Sequence, residues 1–375
     1  MAERADGAAI VDECIVAGDS AARAPTMLTT AIRVGAPNIV KCLISRGVAV
    51  DADDVLANGP AGWRSFVLRG NWCADAVDQV IAMVPALGPL AIHAAVAACV
   101  PTTVLRLLQS GVQVDVEKLL SHDAEDWLRF VLAGEQCEEA MQTVVHAAPV
   151  LGSIALIAAI DKIEPAIVLS LLDGGVSIDQ EKLTKGEAGQ WLSFVFSRKE
   201  TEQATSRVIR NVPVLGAVAL TAAIERKDPA VVCELLRSNA LVDQNRILAK
   251  GAADWREFVR QSASCPETAR AVNRMIQQTT TANNGTSALG SLALTTSVAE
   301  LDPRSVLRLI DDGALIDDDG MEWLGFGFGL GLADENNGDC WHAFVVGAVD
   351  GEEATERLVS VAPALGPSAL MSGAS

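Results

Sequence analysis

APVLGSIALIAAI (148–160) returns 64 positions later as VPVLGAVALTAAI (212–224). Other residues keep the same interval. Pro37, Pro101, Pro165 and Pro229 form one column, and Asp51, Asp115, Asp179 and Asp243 a second. Trp63, Trp127, Trp191 and Trp255 form a third, each followed three positions later by Phe66, Phe130, Phe194 or Phe258. Independent columns in one register define an internal tandem repeat, and a repeat sets the architecture before any single residue does.

A fifth copy is stretched. Pro303 and Asp317 sit 74 positions after their predecessors, because copy four carries ten extra residues near TTTANNGTS (279–287). Trp341 and Phe344 sit 86 after theirs, so copy five holds a further insertion between Asp317 and Trp341. The units are 25–88, 89–152, 153–216, 217–290 and 291–366. Residues 1–24 read as a more polar capping half-unit, and 367–375 as a tail that begins another unit.

Copy three shows the content of a unit. SIALIAAIDK is apolar all round and reads as a short buried helix. EPAIVLSLLDGG follows with Ile167, Val168, Leu171 and Leu172 at helical spacing, Pro165 in the first turn and Gly174–Gly175 at the stop. VSIDQEKL reads as a turn-like finger with Leu183 as its apolar anchor. QWLSFVFS and TEQATSRVIRNVP complete a second pair, with Thr201 the expected N-cap. The fold class is therefore all-α, two helical hairpins per unit.

Half of the chain is hydrophobic, which excludes a disordered polymer. With 29 basic against 48 acidic residues the net charge is −19, which repels phosphate backbones and anionic lipid; nucleic acid and membrane surfaces are not expected partners. A basic partner fits better. Gln79 to Leu105 carries no charge, but Pro85, Gly88, Pro89 and Pro101 interrupt it, and similar stretches recur in later copies. Buried repeat core accounts for both facts. The acidic N-terminal stretch has no signal-peptide order, and eight cysteines fall far short of disulfide density, so a reducing, cytoplasmic setting is expected.

The first hairpin of each unit resembles an ankyrin repeat. In copy two, PLAIHAAVAACVPTTVLRLLQSGVQVD places His93 on that family's histidine and Leu107–Leu108, Gly111 and Asp115 on its later positions. Copy one matches through Ile39–Val40, Leu43–Ile44, Gly47 and Asp51. Copies three to five carry Ile157, Thr221 and Thr295 at the histidine site, and the second hairpin replaces Leu-x-x-Ala by Trp-x-x-Phe. The resemblance implies an ankyrin-like α-solenoid of tandem helical hairpins, and a role in binding proteins. It also implies that His93 bonds locally near its own turn.

Candidate chemistry is thin. The Trp-x-x-Phe pairs read as core filler between layers. Cys73, Cys137 and Cys265 share a column, but equivalent positions lie too far apart to bridge or to converge on a metal. Cys340 and His342 are two apart, which on a helix face apart. No cofactor, metal or catalytic set is assigned. The remaining departure is DDGMEWLGFGFGLGLADENNGD (318–339), a glycine-rich insertion with aromatic side chains between acids. Insertions that break a repeat gather on one face, often the binding face. Partner binding is therefore expected at Trp323, Phe326 and Phe328, tuned by the finger residues Lys182 and Arg246. The expected function is a non-enzymatic protein-interaction scaffold, monomeric or weakly self-associating. A self-assembling structural subunit is the alternative, with an enzyme site near the insertion a distant third.

Overall fold

The structure is a computed structural model and describes residues 20–56, 60–121, 124–184, 188–197, 200–282, 287–321, 324, 340–348 and 351–366. All regular structure among these residues is helical. The contacts divide into two compact units, Met1–Lys182 and Leu183–Ser375.

In the first unit helices alternate between two rows. The inner row is α1 (Ser20–Val34), α3 (Ala61–Val67), α5 (Leu87–Ala97), α7 (Glu125–Leu132) and α9 (Pro149–Asp161). The outer row is α2 (Pro37–Ser45), α4 (Ala74–Met83), α6 (Pro101–Gln109), α8 (Glu138–Ala147) and α10 (Pro165–Asp173). Each inner helix packs on the next inner helix, and the first hairpins close as α1 on α2, α5 on α6 and α9 on α10. Each proline of the column occupies the first helical turn, where a missing N–H costs nothing. The uncharged stretch 79–105 is divided among α4, α5 and α6, and no helix among the described residues is long and apolar enough to cross a membrane.

The tryptophan column is the spine of the core. Trp63 and Trp127 are wholly buried, and their indole N–H groups donate to the backbone oxygens of Leu87 (3.2 Å) and Leu151 (3.1 Å) on the following inner helix. Each indole also lies against the phenylalanine one turn on, with ring centroids 6.0 Å apart for Trp127 and Phe130. The glycine of the opening phrase follows from the same crowding: a Cβ on Gly152 would come within 2.7 Å of Val145 and 2.8 Å of Val176.

The turn joining inner to outer helix has its own column in the left-handed region. Gly35 (φ 77°), Cys99 (52°), Ile163 (58°), Lys227 (57°) and Leu301 (54°) are equivalent residues. Only the first is a glycine. For β-branched Ile163 that backbone is strained.

The second unit repeats the plan. Its inner row is α11 (Gly189–Phe196), α13 (Pro213–Glu225), α15 (Gln244–Gln261), α17 (Ala288–Ala299) and α19 (Cys340–Gly347). Its outer row is α12 (Glu202–Asn211), α14 (Pro229–Arg237), α16 (Pro266–Ala282), α18 (Pro303–Asp311) and α20 (Glu352–Val361). Trp191 and Trp255 again donate to leucine oxygens, those of Leu215 and Leu289, at 3.0 and 3.1 Å. Trp341 is buried too, yet its indole nitrogen has no hydrogen-bond partner among the described residues.

Several expectations need correction. The fingers are not simple turns: they contain short helices, Val116–Leu119, Gln180–Thr184 and Asp318–Met321, each beginning after a column aspartate. Thr201 stands at the N-cap position of α12 but makes no cap bond; its hydroxyl donates to the oxygen of Phe194 at 2.9 Å. Cys73 and Cys137 fill the same buried slot before α4 and α8. In copy four finger and inner helix fuse into α15. Copies two and three break there at Ala124 and Ala188, with φ of 59° and 57°, whereas α15 runs on through LAKGAAD although its glycine disfavours helix. The ten-residue insertion is partly helical as well: Met275 is the equivalent of Asn211, where α12 ends, but α16 continues to Ala282.

Candidate functional site

Trp323, Phe326 and Phe328 lie outside the described residues. Lys182 and Arg246 are both described, one in each unit, at the same finger register. Their backbone N–H groups donate to the capping carboxylates of Asp179 (3.1 Å) and Asp243 (3.0 Å), which explains the aspartate column as a set of helix caps. Lys182 also turns its ammonium to Asp179 at 3.3 Å, with its side chain half exposed. Arg246 keeps a buried Nε with no hydrogen-bond partner among the described residues.

The cap of copy two shows the electrostatics of a finger. Asp115 accepts from the backbone of Lys118 at 3.1 Å and from its ammonium at 2.8 Å. The Lys118 side chain first, then the backbone N–H, holds the Asp115 carboxyl below the usual carboxylate range. His93 Nε2 faces Asp126 of the next inner helix at 3.8 Å.

A pocket of about 170 Å³ opens in copy five, between α15, α17 and the finger Asp318–Met321. Leu248, Arg256, Leu292, Thr295, Asp319 and Gly320 are among its walls. It is built by a close approach. Ser291 donates to Asp317 Oδ1 at 2.6 Å and accepts from the Asp317 N–H at 3.1 Å, while the Gly320 N–H donates to the same carboxylate at 2.9 Å. A Cβ on Gly320 would sit 2.3 Å from Ser291 Oγ, so only glycine lets the finger lie this close. At 170 Å³ the space is below that of a typical small-molecule site and suits one protruding side chain.

Sequence reasoning did not single out this pocket. The available signal was Gly320 itself, which stands where the other copies carry Asp54, Lys118, Lys182 and Arg246. The insertion expected to bind a partner, 318–339, begins in this wall. Among the described residues no three or more His, Cys, Asp or Glu side chains gather as metal ligands. Comparison with family models, curated proteins and solved structures gives no match for this chain.

The geometry defines a class, an all-helical repeat protein in which a constant core carries variable fingers.

Proposed function

We propose that this chain is a non-enzymatic protein-binding scaffold on an ankyrin-like α-solenoid, holding its partner along fingers and inner helices. The observation that carries this reading is the copy-five pocket: its wall includes Gly320, where the repeat departs from its own pattern, and the aromatic insertion begins there. Trp323, Phe326 and Phe328 are the proposed anchors, since aromatic side chains within a polar rim concentrate interface energy. The core columns, by contrast, are the same in every copy and serve packing.

The test is the triple change Trp323→Ala, Phe326→Ala, Phe328→Ala. Loss of partner capture from lysate with an unchanged melting temperature supports the proposal. A strong drop in melting temperature makes these rings structural, and unchanged capture removes them from the interface. Light scattering addresses the alternative of a self-assembling subunit, which requires an oligomer where the scaffold reading expects a monomer.

A further inference from the structure

The outer rows of the two units differ in sign. In the first, α4, α6, α8 and α10 carry five acids and a single arginine. That arginine, Arg106, is already bound to Asp78, and Lys41 of α2 is bound to Asp75. In the second unit α12, α14 and α16 carry five arginines against three glutamates, and with α18 and α20 the row holds eight arginines against seven acids. Arg237, Arg270 and Arg274 are exposed, and none of them forms an ion pair among the described residues.

These three form one patch. Helices α14 and α16 pack together, and the Cys233 thiol of α14 points to the Glu267 oxygen of α16 at 3.7 Å. Burial raises this thiol; Arg237 offsets part of that rise, Glu267 adds to it, and Arg270 and Arg274 lower it again.

The fold does not ask for these charges. The position of Arg237 is Asp173 one copy earlier and Asp311 one copy later. That of Arg270 is Asp78, Gln142 and Ser206 in copies one to three, so no other copy places a cation there; that of Arg274 is Ala82, His146 and Arg210. Nor do they help the helix: Arg270 and Arg274 are i,i+4, where like charges cost a few tenths of a kcal/mol. Arg237 alone is in a last turn, where the helix dipole favours a cation. An unfavourable pair, beside Arg237 and Arg270 positions where other copies carry acids, points to an anionic partner.

We propose that the outward face of α14 and α16 binds an acidic segment of a partner polypeptide through Arg237, Arg270 and Arg274. Arg270 and Arg274 are separated by about 6 Å along the helix axis, close to the spacing of alternate residues in an extended strand. Carboxylates at alternate positions of such a strand reach both guanidinium groups, and each pair is charge-assisted. The patch is short and surrounded by a chain of net charge −19, which suits a few carboxylates better than a continuous phosphate backbone. This surface is separate from the fingers, so it can fail while the scaffold reading stands, and the reverse.

The test uses the full chain and a fluorescein-labelled peptide of alternating glutamate and glycine, read by anisotropy at about 20 mM and about 150 mM salt. Saturable binding that weakens with salt is expected. The variant Arg237→Asp, Arg270→Asp, Arg274→Ala, which takes its residues from the equivalent positions, should bind about tenfold more weakly with unchanged circular dichroism. Arg270→Asp alone should lose about threefold, which keeps the test decisive if the triple variant does not fold. Equal binding by wild type and variants, or none by wild type, overturns the proposal. So does tighter binding of a single-stranded oligothymidylate, which would make the patch a nucleic-acid site. Self-association that the variant abolishes, with no peptide binding, assigns the face to a second copy instead.

Discussion

The indole N–H of Trp127 donates to the backbone oxygen of Leu151 at 3.1 Å, joining one inner helix to the next. The same bond joins Trp63 to Leu87, Trp191 to Leu215 and Trp255 to Leu289. Tryptophan here fills volume and also satisfies its own buried donor. Trp127→Phe removes the bond while keeping an aromatic ring, and should cost about 1–2 kcal/mol; Trp127→Ala adds a cavity and should cost about 3–5 kcal/mol. Denaturant titration reads both. Equal costs would mean that the indole bond contributes nothing beyond packing.

Ile163 occupies the left-handed turn that Gly35 occupies in copy one. Ile163→Gly removes Cβ strain of about 1–2 kcal/mol, less the extra entropy glycine gains when unfolded, and should be neutral to stabilising. Gly35→Ala should do the reverse, because its Cβ would meet the Arg69 guanidinium at 2.2 Å as well as the unfavourable φ. Thermal melts of the two variants moving in the same direction would sink this account.

Gly320 and Ser291 hold the copy-five finger against α17. Gly320→Ala should cost about 1–3 kcal/mol through the clash with Ser291 Oγ, and less in a Ser291→Ala background where that atom is gone. The double-mutant cycle, with amide exchange of 317–321 as a local readout, checks it. An identical cost in both backgrounds would place the strain elsewhere.

Asp115 titrates below the ordinary carboxylate range in the folded chain, chiefly through Lys118. Its stabilisation is therefore present above the unfolded value, about 4, and is lost as pH falls through the lower folded one. Asp115→Asn keeps the cap acceptor and removes the charge. The wild type should be more stable at neutral pH by a few tenths of a kcal/mol, the pair being partly exposed, with the gap closing in acid. A gap unchanged at pH about 2 would show that charge is not its source.

Much of this molecule is legible in one dimension. Trp127, Phe130, Pro165 and Asp179 recur at a fixed interval because each unit buries, starts and caps its helices in the same surroundings, and recurring surroundings select recurring residues. That reasoning yields an all-helical repeat, its register, its core columns and the helix starts at proline. Periodicity says nothing about which atoms meet across layers. That Trp127 finds the Leu151 oxygen, that His93 faces Asp126 and that Ser291 meets Asp317 depends on distances between segments far apart in the chain. The same holds for the copy-five pocket, whose walls come from α15, α17 and a finger. The fused α15 and the extended α16 were decided by packing as well, since a short inserted or altered stretch can continue a helix or leave it, and only the neighbours it lies against choose.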